Sequence, residues 1–210
     1  MNATELEAQI RPRWDFNDPQ TSLKVMTGMA AATSGGEQLI WQTQVARALG
    51  LQGRFDEANA MLDAISAGSD HHVLARVAIE KGRLLNSSGD SAAARPFFEL
   101  ALEDAEAAET DGLAVDALHM LAIVASSYLE AKQLGKEALA RAKSSSDPDA
   151  RRWRGSILNN LGWAHFDEGR FAEALACFEK ALILREEEGS QASIEHALDA
   201  IAEAKRALGA

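Results

Sequence analysis

The chain has one cysteine, Cys177, among 210 residues. A single thiol cannot close an intramolecular disulfide, and a cysteine-based metal site goes with it. Proline is scarce, at four residues, and aromatics make up only 6%. Few prolines leave helices uninterrupted, and the shortage of aromatic and β-branched runs argues against sheet. Positive charge is also short: 21 Lys and Arg face 32 Asp and Glu, for a formal net charge of −11. A nucleic-acid binder normally has the opposite balance, because phosphate contacts need Lys and Arg. An anionic lipid surface is disfavoured for the same reason. The most apolar stretch, Leu113 to Ala125, is broken by Asp116 and His119 and is too short to span a bilayer. The opening Met1-Asn2-Ala3-Thr4-Glu5-Leu6-Glu7 is polar and acidic, unlike a secretory signal. A cytoplasmic protein that engages neither nucleic acid nor membrane is expected. There is no Walker A loop, GxSxG elbow or HExxH. Neither catalysis nor a cofactor is therefore expected.

What the chain does have is alanine, leucine and a recurring string. Gly53-Arg54-Phe55-Asp56-Glu57-Ala58 returns as Gly169-Arg170-Phe171-Ala172-Glu173-Ala174. Ala58, Ala94, Ala138 and Ala174 mark a spacing of 36, 44 and 36 residues. That period belongs to stacked two-helix units, since one helix pair cannot bury its own apolar face. The extra residues of the long interval predict lengthened helices around Asp111. Pro96 falls inside a helix that begins near Asp90, or that begins later, near Ala93.

The clearest copy runs Ile157-Leu158-Asn159-Asn160-Leu161-Gly162-Trp163-Ala164-His165-Phe166, then Gly169-Arg170-Phe171, then Ala174 with Phe178 and Ala181. It resembles the tetratricopeptide repeat family. Leu158, Leu161, Gly162, Ala174, Phe178 and Ala181 fall on that family's signature positions, while His165 replaces the usual tyrosine. Weaker copies lie at about Leu39 to Ser66, Ala75 to Glu109 and Gly112 to Ser145. The third lacks the turn glycine. The resemblance implies an all-α fold, a right-handed superhelix of about ten antiparallel helices.

The expected organisation is an extension at 1–17 and a capping half-repeat at 18–36. Four helix pairs follow over 37–188, and a capping helix over 189–210. Asp18 caps the first of these helices with Pro19 at its start, and Gly35-Gly36 ends it. The last helix carries Ile194, Leu198, Ile201 and Leu208 on one stripe.

In the family, one face of each first helix lines an inner groove that takes a peptide or protein partner. Carried onto this chain, the groove residues are Asn159, Asn160, Trp163 and Phe166 in the clearest copy. Arg76 and Arg83 are theirs in the second copy and Arg47 in the first, beside Thr43 and Gln44. Asn160 resembles the family asparagine that hydrogen-bonds a peptide backbone, a task for which an amide both donates and accepts. The three arginines suit an acidic partner, or pair with Glu80 and its neighbours inside the chain. The family's carboxylate clamp is not reproduced, because Thr43, Arg47 and Glu80 occupy its positions.

Charge is segregated along the chain. Pro96 to Ala131 holds eight acidic residues and no Lys or Arg, whereas Lys132 to Arg154 holds seven basic and three acidic ones. Adjacent repeats that complement each other account for this; so would a basic partner, or a homodimer. Arg151, Arg152 and Arg154 flank Trp153 and are read as pairing with acidic residues of the third copy. His71-His72 lacks a further ligand one turn on, so no metal is expected. His119, His165 and His196 read as core or interface residues, and Cys177 as a small buried hydrophobe. The function expected is a non-catalytic scaffold for a protein or peptide. The alternatives are a self-associating module and a regulator that takes a small peptide signal.

Overall fold

The structure, a computed structural model, describes residues 2–189 and 191–209. Among these residues there are eleven α-helices, one 3-10 turn and no strand. The chain divides into two compact units, Met1–Ala117 and Leu118–Ala210. The first holds α1 (Ala3–Ile10), the 3-10 turn (Arg11–Arg13), α2 (Pro19–Ala32), α3 (Gly35–Gly50), α4 (Phe55–Asp63), α5 (His71–Ser87), α6 (Ser91–Ala107) and the start of α7 (Asp111–Ile123). The second holds the end of α7, then α8 (Tyr128–Ser144), α9 (Pro148–Asp167), α10 (Phe171–Glu188) and α11 (Gln191–Leu208).

Short side chains set where the helices begin. Asp18, Asp70, Asp90, Ser127 and Asp147 each accept a backbone N–H from the first turn that follows, satisfying donors that have no partner within the helix. The turns between paired helices repeat one geometry. Gly53, Gly89 and Gly169 take φ of +74, +95 and +72, where a β-carbon would be strained. The next amide then bonds back to the preceding helix: Arg54 to Leu49, Asp90 to Leu85, Arg170 to His165. Both copies of the recurring string add an ion pair across the new first turn, Arg54 to Glu57 at 2.6 Å and Arg170 to Glu173 at 2.5 Å.

The helix pairs close on small residues. Ala58, Ala94, Ala138 and Ala174 are all fully buried. A methyl group at Gly82 would come within 2.5 Å of Phe98 Cε1, and Gly162 meets Phe178 in the same way. In the α3–α4 pair the corresponding residues are Ala46 and Leu62, both buried in one cluster. A larger residue on one helix is matched by a smaller one on the other, as close packing requires. In the second unit Gly135 of α8 makes room for Leu161 of α9; a β-carbon there would lie 2.6 Å from Leu161 Cδ2.

The helices differ from the sequence expectation in three places. Gly35 and Gly36 do not end α2, which stops at Ala32; they open α3. A β-carbon on Gly36 would lie 2.9 Å from Asp70 Oδ2, so its bareness leaves space for the carboxylate that caps α5. The long interval is filled by the end of α6 and the start of α8, whereas α7, at 13 residues, is shorter than α3, α5 and α9. Pro96 agrees with the first of the two starts expected for its helix, since α6 is capped by Asp90 and begins at Ser91. The stripe on α11 keeps Ile201 of the expected large residues but not the two leucines. Ala197, Ala200, Ile201 and Ala204 are buried, while Leu198 and Leu208 remain 49% and 45% exposed. Alanines let α11 approach closely, and the leucines fall to the side. Ser190, within the span expected for this last helix, lies outside the described residues.

Candidate partner-binding faces

Residues 44 and 47 of α3 share one helix face, as do 76, 80 and 83 of α5. In the first unit these two faces meet over Glu80, which is 1% exposed. Its carboxylate accepts from Arg83 Nη1 at 2.6 Å, with Arg47 Nη1 at 3.5 Å and Arg76 Nη1 at 4.0 Å. Arg83 Nη2 also reaches both oxygens of Asp116, each at 2.6 Å. Burial works against the Arg83 charge, but Asp116 and Glu80 outweigh it and raise its pKa. Arg47 goes the other way: burial, then the nearby Arg83, lower its pKa, with Glu80 and Asp116 opposing. The three sequence-predicted arginines are thus brought together, and they are engaged inside the chain. The Arg83–Asp116 pair joins the second and third copies.

The surface of this cluster is covered by residues read from the sequence only as an extension. An Asn2–Glu5 capping box starts α1, and Leu6 and Ile10 are buried with Ile40, Trp41 and Val73 in one cluster. Between them Glu7 is also buried. It accepts from Arg76 Nε at 2.8 Å, pairs again through Arg76 Nη2, and accepts from His72 Nε2 at 2.6 Å. Burial, against Asp70, depresses the His72 pKa to about 4, so the ring is neutral at pH 7 and donates its Nε2 proton. Trp14 Nε1 donates to Gln44 Oε1 at 3.1 Å. The Arg47 guanidinium lies 5.5 Å from the Trp14 ring and 5.6 Å from that of Phe16, cation–π distances. Trp14 and Phe16 stack at 5.1 Å. Ser22, fully buried, pins the end of the segment by accepting the Asp15 N–H and donating to the Asp15 carbonyl.

The second unit has a different face. Asn160 Nδ2 lies 3.4 Å from His119 Nε2, and Asn159 Nδ2 donates to Asn160 Oδ1 at 3.4 Å. His119 is buried and packs 5.1 Å from the Trp153 ring. Beside this polar pair lies a small cavity of about 20 Å³, lined by Ala122, Ala131, Gly135, Ile157, Leu161 and Ala164 as well. Trp163 and Phe166 do not line it. They contact each other at 5.4 Å, and Trp163 packs 5.1 Å from Phe178. Both close over the cluster of Phe178 with Ala200, Ile201 and Ala204 of α11. Asn160 therefore sits at the cavity, while the two aromatics join α9 to α10 and α11.

Among the remaining polar residues, His71 Nδ1 pairs with Asp104 at 2.7 Å. Among the described residues no group of three or more His, Cys, Asp or Glu could hold a metal. Arg152 pairs with Asp149 at 2.9 Å, and Arg151 and Arg154 donate to the carbonyls of Ser146 and Arg151. These are contacts within the start of α9 rather than with the helices of the third copy. His165 accepts the Tyr128 hydroxyl or donates to it at 3.0 Å. No described helix is long and apolar enough to cross a membrane. Sequence reasoning missed Glu7, Trp14, Phe16 and the pairing of His119 with Asn160. Glu7 had a local signal: Asn2-x-x-Glu5 ahead of Leu6 and Ile10 reads as a capped amphipathic turn.

Residues 113–187 match the tetratricopeptide repeat family model. Among solved structures, BtubC from P. vanneervenii is 18% identical, with a TM-score of 0.68 over 97% of this chain and 84% of that one. A single-substitution form of the nearly identical TPR-like repeats of a candidate kinesin light chain from Podosopora anserina is 20% identical. Its TM-score is 0.60 over 80% of this chain and 85% of that one. Another structure of those repeats gives 19% identity and 0.58 over the same shares. At such identities the likeness is one of fold. No curated protein sequence matches the chain at a significant level.

Proposed function

Starting from a tetratricopeptide-repeat protein, a fold that generally serves protein–protein interaction, we propose that this chain is a non-catalytic cytoplasmic scaffold. It binds an extended peptide segment of another protein through the α9 face around Asn160. The carrying observation is the cavity beside the His119–Asn160 pair. It joins one polar contact, able to hold a backbone amide or carbonyl, to an apolar recess that suits a small side chain. Asn160 is half-buried, so its amide is positioned before any partner arrives, which lowers the ordering cost of binding.

Site-specific photo-crosslinking tests this reading. A crosslinker at Ala164, which lines the cavity, should yield a discrete adduct in cells; one at Lys136, an exposed residue of α8, should not. Asn160→Ala should remove the Ala164 adduct while the melting temperature holds. Equal labelling from both positions, or an adduct indifferent to Asn160→Ala, sinks the assignment.

Self-association is the second reading. It is favoured by Ile183 on α10 and by Leu198 and Leu208 on α11, all roughly half exposed. Light scattering after size exclusion separates the two, since a strict monomer at high concentration removes the dimer.

A further inference from the structure

We propose that residues 2–16 are an internal ligand, and that the α3–α5 face beneath them is a docking site for a segment carrying a carboxylate and an indole in the same arrangement. The proposal extends the reading that first-helix faces bind peptides, and it concerns a different face from that of Asn160.

The chemistry of the occupant is written in the contacts it makes. Glu7 supplies a carboxylate to Arg76 and His72. Trp14 supplies an indole N–H to Gln44 and, with Phe16, a stacked pair of rings to Arg47. Leu6 and Ile10 supply two apolar anchors on one turn of helix. Gln44, Arg47 and Arg76 are the residues on which the family resemblance places partner contact. An amphipathic helix laid in a groove binds through the same kinds of contact.

Charge explains why the face takes an acidic segment. Arg47, Arg76 and Arg83 meet Glu80 and Asp116 within the folded helices. Three cations against two carboxylates leave one positive charge, which Glu7 balances. Arg47 stands farther from Glu80 than Arg83 does, 3.5 Å against 2.6 Å, and it is the arginine that the aromatic rings cover. Removal of the segment would uncover a cation together with an unbalanced charge, so the vacated face selects a carboxylate beside an aromatic.

The attachment is compatible with release. The segment is one short helix and a single 3-10 turn, joined to α2 through residues 14–18, with Ser22 holding Asp15 at the joint. An isolated helix of this length is marginal in water, so its order depends on the face it covers. Opening then exposes the site without disturbing α2, whose start is capped by Asp18.

The test uses the full chain and a labelled synthetic peptide of residues 2–16, followed by fluorescence anisotropy. Weakening the internal copy with Glu7→Gln and Trp14→Ala should tighten peptide binding by about tenfold over wild type, because a larger fraction of the face is vacant. Arg76→Gln added to that variant should abolish the gain, and a peptide carrying the same two changes should not bind. Equal binding by wild type and the weakened variant overturns the proposal. Amide exchange on the wild-type chain serves where the variant misfolds. The α1 amides should exchange faster than those of α5 through local opening, and equal protection overturns the proposal. A wild type that runs as a dimer and becomes a monomer on weakening assigns the segment to a second copy of the chain, which also overturns it. Peptide binding that persists while the Ala164 adduct fails would leave this proposal standing and remove the Asn160 reading; the converse result would do the opposite.

Discussion

The ring of Phe178 occupies the space that a side chain on Gly162 would fill, and Gly82 stands in the same relation to Phe98. Both rings are fully buried, so neither can turn aside. Gly162→Ala should destabilise the chain by about 1–3 kcal/mol, the range for overpacking a filled core. The α3–α4 pair has Ala46 and Leu62 in these positions, both buried. Phe178→Leu should therefore recover much of the loss when combined with Gly162→Ala, although alone it leaves a cavity. Urea denaturation of the two single variants and the double variant measures the coupling. Strict additivity would show that the steric relation is not what sets the pair.

Glu80 and Glu57 contrast a buried and an exposed ion pair. Glu80 is 1% exposed and faces three guanidinium groups. Glu80→Ala leaves them crowded without their common carboxylate and should cost about 3–5 kcal/mol, as for breaking other buried pairs. Glu57 bonds Arg54 on an exposed turn, and Glu57→Ala should cost far less than Glu80→Ala. Thermal melts at low and high salt separate them further. The Glu57 effect should fade with salt and the Glu80 effect should persist.

The scaffold was legible in the sequence because its signals are local. Gly53 and Gly169 mark turns, Ala58 and Ala174 mark crossings, and Asp18, Asp70 and Asp90 mark helix starts. Each does so through its own backbone or size. The candidate faces were legible only in part. That Arg47, Arg76 and Arg83 share one face followed from their repeat positions, whereas their pairing with Glu80 was one of two readings the sequence left open. What covers them did not, because Glu7 reaches Arg76 from a segment that has no place in the repeat. Trp163 and Phe166 occupy groove positions, yet α11 lies against them through alanines whose packing leaves little trace in a hydrophobic pattern. His119 meets Asn160 from a helix shorter than its neighbours, so the repeat spacing gives no guide to that contact.

His72 gives stability a pH dependence. Burial holds its folded pKa at about 4 against an ordinary 6.5. The unfolded chain therefore takes up the proton first as pH falls. The contribution is intact above about 6.5, is lost progressively toward pH 4, and does not change below that. The full shift corresponds to on the order of 3 kcal/mol. His72→Gln keeps a donor for Glu7 and removes the titration. Its melting temperature should change less with pH than that of wild type between these limits. The same slope in both proteins would remove His72 as the source.

Glu109 is the one non-glycine among the described residues with positive φ, at +54. It ends α6 in the manner of Gly53, Gly89 and Gly169: the amide of Thr110 bonds back to the Ala105 carbonyl, as those of Arg54, Asp90 and Arg170 do to theirs. The geometry is that of a glycine turn, held by a residue whose β-carbon crowds the backbone there. Glu109→Gly relieves that crowding but loosens the unfolded chain, two effects of opposite sign. Relief is the larger at a left-handed position, so the variant should gain about 0.5–1 kcal/mol. Glu109→Ala keeps the β-carbon and should gain nothing. Urea midpoints at constant slope test this, and a loss of stability in Glu109→Gly would show that the Glu109 side chain contributes more than its backbone conformation costs.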